Sequence, residues 1–193
     1  MNDSPDPLQA LNRDPLLAPL IEVAGPKTIE PAPDFFRRFV ISIIRQQISM
    51  QAADAIITRL DNGVGIDVDS CRTIEAESLT NYGVSQMKAE TIRRVAETFE
   101  TDGWSYEYFR GHSNEAIIEE MTSIKGVGPW TAKMQLIFSL GREDVFPIED
   151  LGIRNGMEHL CNESLELQDM RKIADRWRPF RSYASLYLWD VVD

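Results

Sequence analysis

The chain has 193 residues, 43% of them hydrophobic, and its 20 Lys and Arg against 31 Asp and Glu give a net charge of −11. This length and apolar content exclude a disordered chain and allow a core that depends on neither disulfides nor metal. Apolar runs such as Phe39 to Ile44 fall far short of the roughly 20 residues of a bilayer span, and Cys71 and Cys161 alone exclude a four-cysteine iron–sulfur cluster.

Residues 1–14 carry Asp3, Asp6 and Asp14 with two prolines, and have neither a basic start nor an apolar core. No secretory signal is expected there, and the default location is cytoplasmic. Residues 1–32 read as an N-terminal extension packing on or near the domain, which runs from 33 to 193. Pro33-Asp34 opens the longest helical pattern, 34–60, in which Phe36, Val40, Ile43, Ile44, Ala52, Ile56 and Leu60 recur at spacings of three and four or their sums. Asn62-Gly63 closes it. Val64 to Val68 is the one weak alternating run. Further helices are predicted near 74–81, 85–101, 114–122, 129–140, 150–161, 168–177 and 181–191. The expectation is an all-α fold, a compact bundle of roughly eight to ten helices with short connections.

Charge is unevenly spread. Met121 to Arg142 holds Lys125, Lys133 and Arg142 with no acid, and Arg171 to Arg181 holds five bases against Asp175 alone. Either stretch reads as a solvated helix face or as a surface for phosphate, and the acidic whole opposes the second reading at long range. The 15 Arg and 5 Lys, set among surplus acid, fit a cytoplasm of high ionic strength.

Between two predicted helices lies Ile124-Lys125-Gly126-Val127-Gly128-Pro129-Trp130-Thr131-Ala132. Two glycines around one apolar residue permit a tight turn and close approach of another backbone. Pro129 suits the first position of a helix. Such a turn presents backbone N–H groups at a helix N-terminus, a site for phosphate, although these residues taken alone also make an ordinary helix–turn–helix connection.

The wider pattern resembles the helix-hairpin-helix element of DNA glycosylases. It is followed by Gly141, Pro147 and then Asp150 within Val145-Phe146-Pro147-Ile148-Glu149-Asp150-Leu151-Gly152, which is similar to the loop and catalytic aspartate of that superfamily. Ile43 to Ser49, Gly83 to Ala89 and Trp177 to Ala184 with Trp189 resemble its alkylbase branch.

That resemblance implies a base excision repair enzyme that flips alkylated purines, of the 3-methyladenine or 7-methylguanine type, out of double-stranded DNA and hydrolyses the N-glycosidic bond. Asp150 would stabilise the cationic sugar, with Glu149 the nearest alternative carboxylate. Trp130, Trp189 and Met134 would form the base pocket. Lys125, Gly126, Val127, Gly128 and Thr131 would meet DNA, and Gln47 would fill the gap left by the flipped base. Trp130 stands where strand-cutting relatives carry a Schiff-base lysine, which implies a monofunctional enzyme. No cofactor is implied, nucleotide or otherwise, beyond a structural Na or K ion on the carbonyls of Thr122, Ile124 and Val127, and a monomer suffices. Two other readings stand beside this one: a helix-hairpin-helix module that recognises damaged DNA without cleavage, and a glycosylase for uracil, hypoxanthine or a mismatched base.

Overall fold

The computed structural model describes residues 6–192; the part of the N-terminal reading that concerns residues 1–5 lies outside the described residues. Thirteen helices are present among them and no strand. They are α1 (Pro7–Leu11), α2 (Ala18–Ala24), α3 (Phe35–Arg45), α4 (Met50–Gly63), α5 (Val68–Thr73), α6 (Ala76–Thr80), α7 (Gln86–Asp102), α8 (Tyr106–Phe109), α9 (Asn114–Thr122), α10 (Pro129–Phe138), α11 (Leu151–Cys161), α12 (Leu167–Asp175) and α13 (Arg181–Asp190). The all-α expectation holds, with more helices than the eight to ten expected. None is long and apolar enough to cross a membrane.

Short polar side chains start most of these helices. Asp6, Asp34, Ser49, Asp67, Ser85, Ser105, Ser113 and Asp150 each accept a hydrogen bond from a backbone N–H two or three residues on, which satisfies one of the donors that a helix start leaves without a partner. Three departures from the periodicity follow from local chemistry. The single helix expected over 34–60 breaks at Gln46–Ser49, because Gln47 adopts a left-handed backbone at φ 55° and Ser49 caps a new helix. The alternating run 64–68 is no strand: Gly65 turns at φ 89° and Asp67 caps α5. Asp6-Pro7, a cap followed by proline at the first helical position, starts a helix in a segment where none was expected.

The chain divides into two compact units, one of residues 31–140 and one of 1–30 with 141–193. In the first, α3 buries Phe35, Phe36, Phe39, Val40, Ile43 and Ile44. Its aromatic residues meet Phe99, Trp104 and Phe109 edge to face or tilted, with ring centres 5.0 to 6.2 Å apart, as the ring quadrupoles favour. In the second, Leu11, Leu17 and Ile21 join Phe146, Ile153, Met157, Trp177, Tyr187 and Leu188 in a single buried cluster. The N-terminal helices are therefore part of that unit's core. Tyr187 ties them further, its hydroxyl donating to the Gly25 carbonyl at 3.0 Å, and Lys27 pairs with Asp190 at 2.6 Å.

Candidate functional site

The residues singled out in the sequence fall into two groups, one in each unit. In the first unit, the turn joining α9 to α10 has Gly126 at φ 100° and Gly128 extended, with Pro129 opening α10. Gly126 is required for a second reason: a Cβ there would stand 2.0 Å from the Thr91 hydroxyl of α7. The turn therefore rests directly on α7.

The Val127 N–H donates to the Ile124 carbonyl at 3.0 Å and closes the turn. The amides of Gly126 and Gly128, by contrast, have no acceptor among the described residues. The Thr131 side chain is buried, and its hydroxyl accepts from Gln46 Nε2 at 2.8 Å. The same Gln46 amide reaches the Gly126 carbonyl at 3.3 Å. The Lys125 side chain is exposed, while its carbonyl faces inward to Thr91 and Arg94. Trp130 is half-buried and Met134 buried; at a spacing of four they share one face of α10.

Gln47 and Ile48 are exposed at the α3–α4 loop. Gln47 is thus a loop residue, contrary to its expected place inside a helix, and it is the neighbouring Gln46 whose side chain bonds to the hairpin. Lys88 was not singled out. It stands in the first turn of α7 and donates to the carbonyls of Ile44 at 2.8 Å and Gln46 at 2.7 Å, and burial lowers its pKa. A cation in a helix's first turn opposes the dipole, and that local misfit is the signal that could have found it.

No cluster of His, Cys, Asp or Glu able to hold a metal ion exists among the described residues. The Thr122 hydroxyl bonds back to Ile118 and the Ile124 carbonyl already accepts from Val127. The donors expected at the hairpin are therefore neutral backbone oxygens alone, a set suited to a monovalent cation and not to a transition metal.

In the second unit, Asp150 caps α11. Its Oδ1 accepts from the Ile153 N–H and from Trp189 Nε1, both at 3.0 Å. Both of these contacts use one oxygen. Close packing at Gly152 permits this, since a Cβ there would lie 3.0 Å from Asp150 Oδ1 and 3.1 Å from the Trp189 ring. Trp189 is half-buried, and its indole N–H serves the carboxylate. Glu149 is exposed.

The loop leading to Asp150 buries Val145, Phe146, Pro147 and Ile148. Ser182 stitches it to α13: its hydroxyl accepts from the Val145 N–H at 2.9 Å and donates to the Arg142 carbonyl at 2.6 Å, while its own N–H reaches the Glu143 carbonyl at 2.9 Å. Ser182 and Trp189 are seven residues apart, two helical turns, so one face of α13 holds both the loop and the carboxylate. A serine inside a matched block gave no sign of this role.

Three arginines of the basic stretch 171–181 are paired with acids of the same unit. Arg181 donates to Asp144 at 2.6 and 3.1 Å, Arg178 to Asp144 at 2.9 Å and Asp175 at 3.1 Å, and Arg176 pairs with Asp14 at 2.6 Å. These three side chains therefore serve salt bridges to the surplus acids.

Comparison with known proteins agrees with this architecture. The family described as "HhH-GPD superfamily base excision DNA repair protein" matches residues 40–179. DNA-3-methyladenine glycosylase 1 of Schizosaccharomyces pombe is 35% identical over 161 residues, covering 80% of this chain and 71% of the relative. The solved structure of a 3-methyladenine DNA glycosylase from the same yeast, in complex with abasic DNA, superposes with a TM-score of 0.85 at 30% identity and 95% coverage of both chains. A DNA-3-methyladenine glycosidase from Bacillus halodurans gives 0.81 at 35% identity, covering 97% of this chain and 89% of its own. Family match, identity and fold converge: the chain belongs to the HhH-GPD superfamily of base excision DNA repair proteins.

Proposed function

We propose that the protein is a monofunctional DNA glycosylase that excises alkylated purines, of the 3-methyladenine or 7-methylguanine type, from double-stranded DNA inside the cell, acting as a monomer. One observation carries the assignment of the chemistry: the Asp150 carboxylate, held through Oδ1 by the Ile153 amide and the Trp189 indole. A carboxylate so fixed is organised before the reaction, and it acts by stabilising the positive charge that develops on the sugar as the base departs. An alkylated purine is already cationic, so it leaves without a second acid. In this reading water completes the hydrolysis, and with Trp130 in place of a lysine no Schiff base forms and the strand stays intact.

The amides of Gly126 and Gly128, with the Lys125 ammonium, would hold phosphate. Gln47 would occupy the space vacated by the flipped base, and Trp130, Met134 and Trp189 would receive that base. The carbonyls of Thr122, Ile124 and Val127 would hold a Na or K ion whose contribution is charge next to a phosphate. The names of the relatives, and the abasic DNA bound to one of them, support this reading of substrate and partner.

The test is release of bases from methylated duplex DNA by wild type beside Asp150→Asn, with EDTA present and strand breaks scored before and after alkali. Release by wild type alone, with breaks only after alkali, is expected. Retained lesion binding without release would instead assign the protein to damage recognition, and cleavage before alkali would refute the monofunctional assignment.

A further inference from the structure

The α3–α4 loop carries an exposed glutamine in a backbone conformation that non-glycine residues rarely adopt, Gln47 at φ 55°. Nothing in its own side chain accounts for that choice. The explanation lies on either side of it. The final carbonyls of a helix lack intrahelical partners and carry the negative end of its dipole. At the end of α3, the Lys88 ammonium takes the Ile44 carbonyl at 2.8 Å and, after the chain has turned, the Gln46 carbonyl at 2.7 Å. Fixing the Gln46 carbonyl fixes its ψ, and so the direction from which the chain enters Gln47. The Gln46 side chain meanwhile grips Thr131 and Gly126. Lys88 lies on α7, the helix whose Thr91 underlies Gly126.

We propose that Lys88 is a positioning residue which, through the carbonyls of Ile44 and Gln46, holds the 46–49 loop against the hairpin and so couples phosphate capture at Gly126 and Gly128 to the insertion of Gln47. The inference rests on the glycosylase reading above. It assigns Lys88 no contact with the reacting atoms. Its effect appears in the step at which the base is flipped and kept out of the helix, and not in the docking of the hairpin on phosphate.

The experiment compares wild type, Lys88→Met, Gln47→Ala and the double variant on duplex DNA with one 7-methylguanine and 2-aminopurine beside it. Single-turnover release at saturating protein, affinity for an abasic duplex, 2-aminopurine fluorescence and the melting midpoint are recorded. Lys88→Met is expected to slow release about tenfold or more while affinity changes less than about threefold, with loss of most of the fluorescence rise. The double variant should be no slower than the slower single, because both remove one device. Lys88→Cys alkylated with bromoethylamine restores an ammonium at nearly the same reach and should recover the rate, with alkylated wild type as control for Cys161.

Rate and affinity falling in equal proportion, or effects of the two substitutions that multiply, would overturn the proposal. So would a lowered melting midpoint with unchanged release. Should Lys88→Met not fold, Lys88→Gln, which can donate to one carbonyl, carries the same comparison. A wild type that releases no methylpurine refutes the glycosylase reading itself, whereas an active wild type matched by Lys88→Met refutes the coupling alone.

Discussion

Trp189→Phe separates the bond that Trp189 makes to Asp150 from the stacking role proposed for its ring. The ring face that would stack on a base is retained in Phe, whereas the indole N–H that donates to Asp150 Oδ1 at 3.0 Å is lost. A hydrogen bond to a charged acceptor contributes about 1.5–3 kcal/mol. The Ile153 N–H still holds the same oxygen at 3.0 Å, so the lower part of that range applies. About 1.5–2 kcal/mol corresponds to a ten- to thirtyfold slower chemical step. The assay is single-turnover release of 7-methylguanine at saturating protein, with affinity for an abasic duplex measured alongside. Slower release at unchanged affinity is expected, and Trp189→Ala, which also removes the ring, should be slower still. Release by Trp189→Phe within twofold of wild type would refute the claim that this N–H orients the carboxylate.

Gly126→Ala must place a methyl 2.0 Å from the Thr91 hydroxyl in a backbone at φ 100°, so it should destabilise the fold by about 1–3 kcal/mol or more in urea melts and weaken duplex binding. Arg181→Ala should cost about 1.5–3 kcal/mol of stability by leaving Asp144 underpaired, yet leave the salt dependence of DNA binding unchanged. Lys125→Ala should do the reverse, reducing the slope of log affinity against log salt by about one. The Arg37 guanidinium bonded to Asp61 holds that carboxyl below its usual 3.8. A depressed carboxylate contributes stability above its unfolded pKa and loses it as pH falls through the folded value. Asp61→Asn should therefore be less stable than wild type at neutral pH, by about 1 kcal/mol or less for so exposed a pair, and the two should converge as pH falls through the folded-state value.

What the sequence made legible was local. Gly-Val-Gly-Pro specifies its turn through backbone freedom and a proline at the start of α10, and Asp150 reads as a cap because the helical pattern begins immediately after it. The apolar spacing that joins 34 to 60 into one helix runs through the break unaltered, since Ile43, Ile44 and Ala53 face the core on both sides of it. The break itself depends on Lys88, more than forty residues away, and on Gln46 meeting Thr131. No window of sequence contains both partners. Charge runs fail for the same reason. Arg178 and Arg181 look like phosphate ligands until Asp144 is placed beside them.

The hairpin amides of Gly126 and Gly128 have a kinetic consequence. A lysine brought to a phosphate displaces condensed counterions, and their release is the main source of a protein's hold on undamaged duplex. A backbone N–H carries only a partial charge and displaces fewer. With Arg176, Arg178 and Arg181 already matched to carboxylates, a chain of net charge −11 has little with which to cling to arbitrary DNA. Encounters with intact sequence should thus be brief and numerous, a search by repeated landing more than by long one-dimensional sliding. On the proposed function, dwell time is then governed by the lesion, because only a base that leaves the stack can reach the aromatic side chains proposed to receive it.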